Sequence, residues 1–108
     1  MHFPASLIQA TKLSFEGQVH GYLLDARPCG LGFKAAIFFD SHRRFENGDT
    51  IVTEDAAAIE ERHGYSIVVT TAGDRYVIVS FLMFLIEEVD GVEKTVVLSM
   101  TRDPGARP

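Results

Sequence analysis

From Tyr76 to Ile86 eleven mostly apolar residues lead toward Asp90-Gly91, and Lys94 to Met100 lead back out. Asp-Gly between strand-type residues is the strongest short-range hairpin signal a sequence carries, because both turn residues must tolerate positive φ. A two-residue loop fixes the register. Val89 then faces Val92, Glu87 faces Lys94, Leu85 faces Val96, Met83 faces Leu98 and Phe81 faces Met100. Strand alternation puts Tyr76, Ile78, Ser80, Leu82, Phe84 and Ile86 on the other face, against Thr95, Val97, Ser99 and Thr101. Eleven extended residues reach roughly 36 Å, about twice the usual strand. Such an element either bends between two sheets or extends past its own core, and its second apolar face needs cover.

The chain has 108 residues, enough for one domain with one core and no staples. A hydrophobic content of 46% argues against disorder, and 15 acidic against 10 basic residues argue against binding a phosphate backbone. The basic cluster His42-Arg43-Arg44 reads as a solvated turn. A single cysteine, Cys29, cannot form an intramolecular disulfide, and Met1-His2-Phe3-Pro4 lacks the basic-then-apolar pattern of a signal peptide. The expectation is a soluble, cytoplasmic protein. The apolar run from Tyr76 falls short of the ~20 residues that a spanning helix needs.

Ahead of the hairpin, Ser6 to Phe15 and Gln18 to Ala26 read as two strands around Glu16-Gly17. Arg27 to Gly32, with a proline and two glycines, reads as a loop, and Lys34 to Phe39 as a short strand. Asn47-Gly48 marks a turn into a strand through Thr53. Thr53 to His63 admits two readings. Thr53 as a cap, Glu54 and Asp55 in a first turn, three alanines and Gly64 suit a helix. Ala58 to Arg62, His63-Gly64 and Tyr65 to Thr71 make an equally coherent hairpin.

Phe45-x-Asn47-Gly48-x-x-Ile51-x-Thr53, then Ile59, then Val69-Thr70-Thr71-x-Gly73-x-x-Tyr76 resembles a pattern of short β-rich bacterial and phage-type proteins of uncharacterised function. The match covers about a third of the chain and consists of turn residues. Ala72 stands where the pattern has Ser, and Glu54 where Ser follows the Thr. The resemblance implies the strand reading for Thr53 to His63, and an accessory or host-interaction role carried by a mobile element. A second stretch, Asp25-Ala26-Arg27-Pro28-Cys29-Gly30-Leu31-Gly32-Phe33, resembles the Asp-x-Ser-x-x-Gly loop of PilZ domains, β-barrels that bind cyclic di-guanylate. That resemblance implies a ligand site at Asp25, Arg27, Gly30 and Gly32. Arg27 replaces the serine, and the arginine pair that would fork onto a doubly charged dinucleotide is missing upstream. A glycine loop with a purely structural duty is the competing reading.

Catalytic patterns are sparse. His2, His20, His42 and His63 show no ligand spacing, so a metal site would need assembly by tertiary contact. Glu60-Glu61 and Glu87-Glu88 point to opposite strand faces and cannot share a proton. Asp40-Ser41-His42 has the letters of a triad, but consecutive residues cannot form the relay. Cys29 has no basic neighbour in sequence other than Arg27. There is no phosphate-cradling loop.

The expectation is therefore all-β: a mainly antiparallel sandwich or partly open barrel of about seven strands with at most one short helix. Residues 1–102 form the domain and 103–108 a flexible tail. The expected function is non-enzymatic, with no cofactor or metal: an interaction protein that binds itself or a host macromolecule through exposed sheet surface. The interface residues are Leu82, Phe84, Ile86, Val97, Thr95 and Ser99, and the simplest partner is a second copy in a homodimer. A small-ligand module using Asp25 to Phe33 is the alternative.

Overall fold

The computed structural model describes residues 3–101, except that the side chains at 84–87 and 96–101 lie outside the described residues. The expected tail, 103–108, also lies outside them. The fold is all-β with one short helix: α1 (Ala5–Thr11), β1 (Gly21–Cys29), β2 (Gly32–Phe38), β3 (Asp49–Val52), β4 (Ala56–Arg62), β5 (Tyr65–Thr70), β6 (Arg75–Ile78), β7 (Ser80–Val89) and β8 (Val92–Thr101). The strands follow the order β3-β2-β1-β6-β5-β4, with β7 joined to β1 and β8 to β7. Pairing is antiparallel except where β6 and β7 run parallel to β1.

The sheet carries two buried cores, one on each face. Leu24, Tyr65, Ile67, Val77 and Val79 pack beneath Leu7 and Ala10 of α1 and Phe15 beyond it. Leu23, Ala26, Ala35, Ile37, Ile51, Val68, Tyr76 and Ile78 form the second core, which the sheet curls around. The segment between β3 and β4 helps to draw the curl together, since Thr53 N donates to Phe33 O at 2.8 Å and Ala56 N to Leu31 O at 2.9 Å. Its approach explains Gly32: a Cβ there would stand 2.7 Å from Glu54 O and Thr53 Oγ1.

The long apolar run is two strands, not one, and this makes eight strands of an expected seven or so. It breaks at Val79, whose N–H donates to Leu23 O. The break lies beside a bulge in β1, where Asp25 has φ of 55° and the register against β2 shifts between Leu24 and Arg27. Ser80 Oγ accepts from Asp25 N at 2.9 Å and joins the two irregularities. The side-chain phase consequently slips by one. Leu23 and Ala26 share the second core, as do Tyr76, Ile78 and Phe81, while Ser80 is buried against the bulge. The unbroken face expected from Tyr76 through Ser80 to Ile86 is corrected accordingly. Beyond the break, the hairpin register is the expected one from Phe81↔Met100 to Val89↔Val92, around Asp90 and Gly91 at φ of 53° and 77°.

Two other expectations are corrected. Ser6 to Phe15 is not a strand: Pro4 O accepts from Leu7 N and Ile8 N to open a helix, with Leu7 and Ala10 buried on one side. Seven residues are too few to display a helical period, and the helix depends on packing against the sheet. Arg27 to Gly32 is not a loop either. Strands β1 and β2 pair through Pro28↔Phe33 and Cys29↔Gly32, leaving only Gly30 and Leu31 as the turn. The strand reading of Thr53 to His63 agrees with β4, which turns through His63-Gly64 into β5.

Candidate functional site

Three places on the molecule concern function. The first is the β7–β8 ribbon. Among the described residues its tie to the body by strand pairing is the single bridge Ala26↔Phe81, and β8 pairs with β7 alone. Met83, Val89 and Val92 are 44%, 49% and 58% exposed, so its outer part carries large apolar groups in solvent. Of the sequence-derived interface residues, Leu82 is half-buried and Thr95 exposed. The side chains of Phe84, Ile86, Val97 and Ser99 lie outside the described residues, but their backbone positions are fixed. Leu82 stands opposite Ser99, Phe84 opposite Val97 and Ile86 opposite Thr95.

The free edge of β8 differs from the other two edges of the sheet. Strand β3 has only four residues, and β4 carries a bulge between Ala56 and Ala58 followed by Glu60, Glu61 and Arg62. Short length, bulges and charges are the usual protection against strand addition. Strand β8 has ten residues and, from Thr95 to Thr101, neither charge nor proline nor glycine. A two-residue loop makes Val89 and Val92 a hydrogen-bonded pair, and pairs alternate from there. Lys94, Val96, Leu98 and Met100 therefore turn their backbone groups toward β7. Glu93, Thr95, Val97, Ser99 and Thr101 turn theirs outward.

The second place is the turn that carries Asp25, Arg27, Gly30 and Gly32. Asp25 forms the bulge, and Arg27 Nη1 donates to Asp25 O at 3.0 Å. Gly30 supplies a φ of 62° to the turn, and Gly32 makes room for the backbone of Thr53 and Glu54. Each of these roles is structural. Asp25 and Arg27 lie in β1, Gly30 in the turn and Gly32 at the start of β2, so the four residues line one hairpin end.

The third place was not legible in sequence. His20, at the entry to β1, and His42, in the β2–β3 loop, stack with ring centroids 5.1 Å apart and planes 10° from parallel. His42 Nε2 lies 3.3 Å from Asp74 Oδ1, and Tyr76 Oη donates to Asp74 Oδ2 at 3.3 Å. Arg44 Nη2 reaches Tyr76 Oη at 3.3 Å and Asp74 Oδ2 at 3.6 Å. Burial pushes the Tyr76 hydroxyl up from its ordinary value, and the Asp74 carboxylate adds to this. The loop is built around Asp40, whose side chain is fully buried. Its carboxylate accepts from the N–H groups of His42, Arg44 and Phe45 at 3.3, 2.7 and 3.2 Å. Burial alone would raise its pKa, but these donors and the Arg44 charge together hold it below the ordinary value.

His20, His42 and Asp74 bring potential ligand atoms within 4.8 Å of one another, so tertiary contact gathers what sequence spacing did not. The geometry nevertheless opposes a cation. Imidazole lone pairs lie in the ring plane, and two stacked, nearly parallel rings cannot both aim at one ion. His20 Nδ1 also accepts from Arg75 N at 2.9 Å, whereas a ligating histidine needs that nitrogen as a donor. Arg44 already supplies positive charge beside Asp74. The cluster ties the β2–β3 loop to the start of β6. Comparison with protein-family models, curated proteins and solved structures finds no match for this chain.

Proposed function

We propose that this is a non-enzymatic interaction protein, an accessory factor of the cytoplasm, that binds through the β7–β8 ribbon and most simply to a second copy of itself. The supporting observation is the unguarded edge of β8. A two-stranded ribbon alone in water is at best marginally stable, and this one carries apolar residues on both faces of its register. A third strand along β8 satisfies the outward backbone groups, which is strand addition.

Light scattering on the purified chain tests the reading, with two variants. Thr95→Pro removes an outward N–H but none of the bonds to β7, and proline is tolerated on a strand edge. Val97→Asp places a charge on an outward residue of the β8 edge. Both should be folded monomers, against a wild-type dimer. A monomeric wild type at micromolar concentration, or a Thr95→Pro chain that still associates as the wild type does, contradicts the proposal.

A further inference from the structure

We infer that the stacked histidines are an acid-opened clasp: they hold the β2–β3 loop against the start of β6 while His20 is neutral, and release it when His20 takes a proton. The two rings have unequal duties. Nδ1 of His20 accepts from Arg75 N at 2.9 Å, so that lone pair is engaged and the ring proton sits on Nε2. The backbone of the same residue bonds on both sides, donating to Arg75 O at 2.7 Å and accepting from Ser41 N at 2.8 Å. His20 therefore joins the loop to the strand. A proton on Nδ1 would remove the acceptor and set two N–H groups against each other. His42 has the opposite preference, because its Nε2 faces Asp74 Oδ1 at 3.3 Å and a positive ring strengthens that pair.

The surrounding charges suit one imidazolium and not two. From the β5–β6 turn comes Asp74, which Arg44 of the loop already shares at 3.6 Å. Asp40 of the loop is occupied by backbone N–H groups and by Arg44. Arg75 of β6 is held by Glu60 of β4 at 2.9 Å, and Tyr76 donates to Asp74 as a neutral hydroxyl. With His42 charged, a proton on His20 sets like charges in rings 5.1 Å apart. Parting the rings relieves this. The loop is the element that gives way, because β1 and β6 are each paired with strands on both sides.

Amide exchange in the full chain, expressed as protection factors at pH 7.5 and pH 5.0, tests the clasp. A released imidazole ionises near its ordinary value of about 6.5, so protection at Arg75 and Ser41 should fall between about fivefold and about thirtyfold. Ile67 and Val68 of β5 should stay more protected than either, which marks the opening as local. His20→Asn puts an amide oxygen where Nδ1 stood and cannot take a proton, so Ser41 should stay protected at both pH values. A smaller fall in the wild type, a fall at Arg75 without one at Ser41, or an equal fall in His20→Asn overturns the inference. Should His20→Asn not fold, the wild-type ring signals decide: loss of Ser41 protection must follow the titration of His20, and loss that follows His42 instead overturns it.

Discussion

At the scale of single residues, this molecule is governed by a few side chains that serve backbone geometry. Ser80 is the clearest case, since its hydroxyl bridges the bulge at Asp25 to the break at Val79. Ser80→Ala removes that acceptor and should cost about 1 kcal/mol in urea unfolding, whereas an unchanged midpoint would mean that the bulge holds without it. Gly32→Ala should be worse, because its Cβ would meet backbone oxygen at 2.7 Å; overpacking costs about 1–3 kcal/mol. Asp40 carries a pH dependence. Its folded pKa is depressed by the surrounding N–H groups and Arg44, so the unfolded chain takes up the proton first as pH falls. Its contribution is complete above the unfolded carboxylate value of about 3.9 and is lost as pH drops through the folded value. The stability gap between wild type and Asp40→Asn should accordingly be widest near neutrality and close on acidification; a gap that is constant with pH would contradict this role. The duties of Ser80 and Gly32 could not be read from sequence, because each joins residues far apart in the chain.

At the scale of elements, two hairpin turns were the legible part. Asp90-Gly91 and His63-Gly64 occupy positive φ at both positions, and each sets the register of its two strands through local chemistry alone. Helix α1 was illegible because two buried positions, Leu7 and Ala10, are indistinguishable from chance. The Thr53 to His63 segment has helix-favouring alanines, yet it pairs with β5 as an edge strand, where the neighbouring strand decides the matter over propensity. Ala57 and Ala58 are exposed there. Ala57→Val and Ala58→Thr should each change stability by less than about 0.5 kcal/mol in thermal melts, since β-branched residues suit a strand. A loss near 1 kcal/mol at each site would contradict the role of β4 as a tolerant edge.

At the scale of the whole molecule, the length of the apolar run signalled an element that turns between layers or outruns its core, and the chain does both. Residues 75–78 complete the body, and residues 80–89 leave it with β8. The one-residue slip at Val79 was hidden because it answers a bulge more than fifty positions earlier, at Asp25. The histidine cluster was hidden for the same reason: His20, His42 and Asp74 meet only when β1, the β2–β3 loop and the β5–β6 turn come together. What remains after these contacts are satisfied is a sheet with two guarded edges and one open edge. Amide hydrogen exchange along β8 tests that claim most directly. If a partner strand lies on β8, the outward amides of Thr95, Val97 and Ser99 should be as protected as the inward amides of Lys94, Val96 and Leu98, and should lose protection on dilution. Slow exchange at the inward amides alternating with free exchange at the outward ones, at every protein concentration, would mean that the edge faces water and would contradict the account.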